Sequence, residues 1–69
     1  MKYLVIYEKC ETGYSAYVPD LPGCIATGPT KEKVSQNIKE TIQFHLEGLK
    51  EEGLEIPQSQ SESELMEII

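Results

Sequence analysis

Apolar residues fall in three short stretches near the N-terminus and then recur at helical spacing. From Lys2 to Glu8, Tyr3, Val5 and Tyr7 point one way and Leu4 and Ile6 the other, which is the period of a strand. Both faces are apolar or amphipathic, and this predicts a central strand. Tyr14 to Val18 is a second run of β-forming residues, and Cys24 to Thr27 a shorter third. Lys9 to Gly13 reads as a hairpin connection, with Gly13 at positive φ. Pro19 has no N–H to give to a ladder, so the second strand stops there or lies at an edge. Leu21-Pro22-Gly23-Cys24 fits a type II turn, with Pro22 at its second position and Gly23 supplying positive φ at its third.

Thr30 is a suitable N-cap, because its hydroxyl can accept from a free amide of the first turn. Glu32 suits the positive end of the helix dipole, whereas Lys31 and Lys33 do not. The helix should extend to Glu52, with Gly53 just beyond its end. Val34, Ile38, Ile42, Leu46 and Leu49 form the stripe of a helix packed on a sheet, with Thr41 and His45 beside it. Phe44 lies off that stripe, so it either covers the edge of the core or belongs to an interface. Beyond Gly53, Leu54 to Pro57 is extended and Gln58 to Ser63 is a polar loop. Leu65 to Ile69 is apolar, and suits a fourth strand or a short helix capped by Ser63. The β-branched Ile68 and Ile69 favour the strand. The predicted order is β-β-β-α-β. It is an α+β fold in which a three-stranded antiparallel meander gains a C-terminal strand and carries one long helix on one face.

A chain of 69 residues allows one domain, spanning 1–69, with no separate DNA-binding domain. Such a chain buries only ~60% of its unfolded surface, so added support from a second subunit is expected. The apolar end and an open sheet edge point to a homo-oligomer, a dimer or higher. Two cysteines are too few for a disulfide scaffold, which predicts reduced thiols and a cytoplasmic protein. No stretch is long and apolar enough to cross a membrane, and no secretory signal opens the chain.

Charge is unevenly placed. Through Leu46, Glu8, Glu11, Asp20, Glu32 and Glu40 balance Lys2, Lys9, Lys31, Lys33 and Lys39. Beyond it, Glu47, Glu51, Glu52, Glu55, Glu62, Glu64 and Glu67 face only Lys50, so this third carries the whole net charge of −6. It is either a solvated, solubilising end or a docking surface for a basic partner. With no arginine in the chain, direct binding of nucleic acid is not expected.

The chemistry-bearing residues are isolated. His45 has no second histidine or cysteine pair at ligand spacing, so no metal is expected and the residue reads as a helix flank. Asp20 is the only aspartate, and its neighbours make it a turn residue that bonds nearby amides. No glycine-rich phosphate loop and no nucleophile elbow is present, and Cys24 lacks a base to activate it. No cofactor is expected. Tyr14 and Tyr17 are amphipathic anchors, and the segment Tyr17 to Ile25 is either a recognition surface or a rigid turn.

The run Tyr14-x-Ala16-x-x-Pro19-Asp20-Leu21-Pro22-Gly23-Cys24-x-Ala26-x-Gly28-x-Thr30 resembles the core of the HicB antitoxin family. Asn37 to Glu40, His45 to Leu49 and Glu55 to Pro57 continue the likeness over nearly the whole chain. The departure is at the end, where many members carry an extra DNA-binding module. The resemblance implies a partial ribonuclease-H-like fold and a non-catalytic binding role. It also implies a small basic ribonuclease toxin of the HicA type as the partner to be neutralised. On that reading the toxin-binding residues are Tyr17, Asp20, Glu47, Glu51, Glu52 and Glu55, while Pro19, Pro22 and Gly23 shape the turn. The alternative is an orphan domain with a regulatory role or a weak nuclease using Asp20.

Overall fold

A computed structural model describes all residues, 1–69. Three strands, β1 (Ile6–Cys10), β2 (Gly13–Tyr17) and β3 (Ile25–Gly28), precede one helix, α1 (Lys31–Glu51). The sheet is an antiparallel meander in the order β1-β2-β3. Glu11 and Thr12 turn the first hairpin without positive φ, and Gly13 takes the strained value instead, at φ 147°. A Cβ there would lie 2.2 Å from the Gly28 carbonyl oxygen, so only glycine fits. The expected type II turn is present. Cys24 N–H donates to the Leu21 carbonyl at 3.1 Å, and Gly23 has φ 88°.

Residues 1–5 extend beyond the paired part of the sheet. The first strand was expected over Lys2 to Glu8, but the ladder begins only at Ile6, opposite Tyr17. The cause lies on β2. After Tyr17 the chain turns, with Val18 bonding to Cys24 and Pro19 offering no donor, so Lys2 to Val5 have no strand beside them. The expectation of a central first strand is also corrected, because β1 is an edge and β2 is central.

Ala16, Val18, Leu21, Cys24, Ala26, Val34 and Ile38 form the core between sheet and helix. Alternation along β2 and β3 turns Ala16 and Ala26 toward the helix. Val34 and Ile38 meet them from α1, and Tyr3, Val5, Tyr7, Tyr14, Ile42 and Leu46 close the margins. The helix starts as expected, with Lys33 N–H donating to the Thr30 hydroxyl at 3.1 Å. It ends in a Schellman motif. Gly53, at φ 70°, donates to Lys50, and Leu54 donates to Leu49.

The predicted fourth strand is absent. Leu65 to Ile69 has no regular structure and is exposed throughout, so neither the strand nor the short helix forms. A strand needs a ladder partner for its backbone groups, and this segment reaches none within its own chain. The radius of gyration is 13.5 Å, against about 11 Å expected for a compact chain of this length.

Candidate protein-binding site

The C-terminal half of α1 carries the most unusual surface. Phe44 is 79% exposed, so it does not cover the core. It overhangs a groove of about 360 Å³ that Thr41, His45, Gly48, Leu49 and Glu52 line from the helix and Gly23 from the β2–β3 turn. Added side-chain carbons at Gly23 or Gly48 would meet nothing within 4 Å, so both glycines leave the groove open. Helical spacing places Glu40, Glu47 and Glu51 on the flank of Phe44, at i−4, i+3 and i+7.

These acids work against the helix that carries them. The C-terminal end of a helix is already partially negative, and acids there cost stability where lysine would add it. Glu47 and Glu51 add a like-charge i, i+4 pair. Lys31 and Lys33 are misplaced in the opposite sense, in the first turn. Charge and dipole therefore reinforce each other into a molecule with one basic and one acidic end. The basic end is an open groove lined by Tyr7, Lys31, Lys33 and Lys39, where the Lys31 ammonium lies 5.1 Å from the Tyr7 ring.

The expected binding residues do not form one patch. Glu47, Glu51, Glu52 and Glu55 are exposed at or just past the end of α1. Tyr17 lies on the opposite face of the molecule. Its neighbours Ala16 and Val18 face the helix, so Tyr17 projects from the uncovered side of the sheet, 40% exposed. Register places it directly between Ile6 and Ile25, and Ile25 is 62% exposed. This apolar row was missed in the sequence, because a four-residue strand is too short to show which face is solvated.

Asp20 has a different role from the local turn expected of it. One carboxylate oxygen accepts from the Gln60 and Ser61 amides, both at 2.9 Å, and the other accepts from the Ser61 hydroxyl at 2.8 Å. The Ser61 and Gln60 amides hold its carboxyl below the usual carboxylate range, with the Ser61 hydroxyl adding to them. Asp20 thus clamps the C-terminal segment to the β2–β3 loop across some forty residues of sequence. The Tyr3 hydroxyl makes a second tie, donating to the Pro57 carbonyl. Pro19, Pro22 and Gly23 build the loop that holds Asp20 in place.

No group of three or more His, Cys, Asp or Glu side chains converges where it could hold a metal ion. His45 is half-buried on the helix flank. Cys24 is buried, and burial pushes its thiol pKa up, away from the reactive thiolate. Cys10 is exposed and unpaired. No helix is long and apolar enough to cross a membrane.

Comparison with known proteins agrees with this layout. The family described as HicB-like antitoxin of bacterial toxin–antitoxin systems matches residues 3–68. The chain belongs to the HicB-like antitoxin family. A UPF0150 protein of Thermoplasma acidophilum is 46% identical over 63 residues, covering 90% of this chain and 91% of that protein. A 14.9 kDa protein from the rep-hol intergenic region of Haemophilus phage HP1 is 44% identical over 59 residues. That match covers 86% of this chain but only 44% of the phage protein, so the chain spans less than half of that relative's length. Among solved structures, a chain of the HicA3 and HicB3 toxin–antitoxin complex superposes with a TM-score of 0.72 at 32% identity. The superposition covers 87% of this HicB-like chain and 70% of the other. The α+β architecture is therefore that of the family, with three antiparallel strands and one long helix.

Proposed function

We propose that this HicB-like protein is an antitoxin that binds a small, basic, HicA-type ribonuclease toxin and covers its RNA-facing surface. The observation that carries the reading is the run of exposed Glu47, Glu51, Glu52 and Glu55 at and just past the negative end of α1, with Glu47 and Glu51 on the flank of the exposed Phe44. A sequence selected for stability alone would place cations there. Acids that oppose the local rule are accounted for by a partner that supplies the missing positive charge. A toxin surface built to hold RNA phosphates is such a partner, and carboxylates compete with phosphate for the same groups.

Each part of the surface has its own role. The glutamates steer association through a field that the helix dipole reinforces. Phe44 and the groove beside Gly23 and Gly48 give the apolar anchor that charge alone cannot supply. Tyr17, in its row with Ile6 and Ile25, offers a second contact area on the far face. Asp20 acts indirectly, by fixing the segment that carries Glu55. The chain's own part is binding, with no cofactor or metal, and no direct contact with nucleic acid is required of it.

The test is association with the toxin that co-purifies from the native cell, followed by stopped-flow kinetics. Replacing Glu47, Glu51, Glu52 and Glu55 by Gln should slow association by about tenfold or more at low salt. That difference should vanish as the Debye length shrinks to ~3 Å near 1 M salt. Phe44→Ala should instead raise the dissociation rate about thirtyfold, as loss of an anchor worth ~2 kcal/mol requires. Association that ignores both salt and the glutamates would overturn the assignment of the surface. A co-purified partner without RNA-cleaving activity would overturn the antitoxin reading itself.

A further inference from the structure

Gly48 is a cost that the fold of its own chain does not explain. A glycine inside a helix is less stable there than alanine. A close neighbour would account for it, but a Cβ added at Gly48 would meet nothing within 4 Å. Positive φ would also account for it, but only Gly13, Gly23 and Gly53 take positive φ. What Gly48 does line is the groove of about 360 Å³ beside Phe44.

Helical geometry gives that position a meaning. Phe44, Gly48 and the C-cap Glu52 follow one another at i, i+4 and i+8, so they form one row along the exposed side of α1. At a rise of ~1.5 Å per residue, Gly48 sits roughly 6 Å along the axis from each of the other two. The row reads aromatic ring, bare backbone, carboxylate. Gly23 stands across the groove and also brings no side chain. Phe44 and Leu49 are the only apolar residues of the lining, and no lysine belongs to it. Lys50 falls two positions past Gly48 and so faces another side of the helix.

We infer that this groove seats an arginine side chain of the basic partner, with its guanidinium over Gly48, the Phe44 ring on one side and the Glu52 carboxylate on the other. The inference rests on the antitoxin reading of this surface, and it names the group that the surface recognises. A planar guanidinium is attracted to the face of an aromatic ring. Its forked donors match a carboxylate. A lysine ammonium is a compact, strongly hydrated point charge and gains less from the ring. The groove lies at the C-terminal end of α1, where the helix dipole also favours a cation. A side chain at position 48 would occupy the space between ring and carboxylate, so the glycine sets the specificity of the seat. Glu40, Glu47 and Glu51 lie on the flank of Phe44 and do not line the groove, so they attract the partner without entering the seat. Gly48 and the terminal glutamates thus cost the helix stability for the same reason, the partner.

The test uses the purified chain and a small probe. N-acetyl-arginine methylamide is titrated into isotope-labelled protein and followed by NMR, with N-acetyl-lysine methylamide as the control. The amides of Gly23, Gly48 and Glu52 should shift in a saturable way, and the arginine probe should bind at least about threefold more tightly than the lysine probe. Gly48→Ala, which keeps the helix and should raise its melting temperature, should lose the preference for arginine. Phe44→Leu, which keeps an apolar side chain but no ring face, should bring the two probes level. Glu52→Gln should weaken both. Equal binding of the two probes by the wild type, a Gly48→Ala variant that binds the arginine probe unchanged, or shifts confined to residues outside the groove would each overturn the seat. The toxin is absent from the titration. A failed seat beside a toxin that is still silenced sinks this inference alone, and a seated probe beside a partner that cuts no RNA sinks the antitoxin reading alone.

Discussion

Tyr3 to Tyr7 and Leu65 to Ile69 are both short and rich in apolar residues, yet they have opposite fates. In the first, Tyr3, Val5 and Tyr7 pack against the core. In the second, the apolar side chains lie in solvent. Hydrophobicity is nearly matched, so it cannot be what separates them. The first segment leads into a hairpin closed at Gly13, which seats Ile6 and Tyr7 on β2 at little entropic cost and so lays the preceding Tyr3 and Val5 against the core. The second follows a helix and a polar loop that Asp20 holds at Gln60 and Ser61, and no strand pairs with it beyond that point. Burial follows from having a neighbour to pack against, and the neighbour is a matter of chain path.

That comparison breaks most clearly in the core. Leu21 is fully buried where the β2–β3 loop meets the helix. Leu21→Ala should cost about 2–5 kcal/mol in urea denaturation, enough to unfold much of so small a domain. Leu65→Ala, measured under conditions where the chain is monomeric, should stay within about 0.5 kcal/mol of wild type. Equal losses at the two leucines would mean that Leu65 is packed within its own chain.

Backbone constraints come next. Gly13→Ala combines a left-handed φ with a clash against the Gly28 carbonyl, so it should destabilise by more than ~1 kcal/mol. Gly48→Ala meets open space inside a helix and should stabilise by roughly 0.5–1 kcal/mol. Thermal melts of both variants decide the matter by their opposite signs.

Smaller still are the helix ends. Thr30→Ala removes the cap on Lys33 and should cost about 1 kcal/mol. At the other end, Glu51→Gln or Glu52→Gln should gain about 0.3–1 kcal/mol by relieving repulsion with the dipole. These same variants should associate with the toxin more slowly. Loss of stability on removing either glutamate would remove the argument that the acids are there for a partner.

The smallest effect on global stability is expected at Asp20, where the readout is local. Its carboxyl has a folded pKa below the unfolded value. Its contribution is therefore complete above the unfolded pKa of ~3.9 and is lost as pH falls through the lower, folded value. Amide hydrogens of Gln60 and Ser61 should be protected near neutral pH and lose that protection in acid. Asp20→Ala should abolish their protection at every pH while leaving the core amides unchanged. Amides that exchange at the same rate in wild type and variant would show that the clamp does not hold in solution.

Several features were readable directly from the residues. Thr30, the stripe from Val34 to Leu46, Gly53, the Pro22-Gly23 turn and Gly13 each act through neighbours within a few positions. Local rules reach that far. The edge position of β1 was not readable, because the apolar residues that make it look central, Tyr3 to Val5, lie before its paired part. The candidate binding residues were half readable. The glutamates showed as a charge imbalance, but nothing in the sequence placed Tyr17 on the face opposite them or set Ile25 beside it. The role of Asp20 was hidden for the same reason, since its partners lie some forty residues away.

The sequence by itself determined the order of the three strands and the helix, the caps, the turns and the acidic bias. These depend on backbone preference and spacing, which are properties of short stretches. Only the tertiary structure decided that Asp20 anchors the C-terminal segment, that Phe44 stands free above a groove, and that Leu65 to Ile69 finds no strand within its own chain. Those outcomes depend on which distant surfaces the fold brings together, and local composition holds no record of that distance.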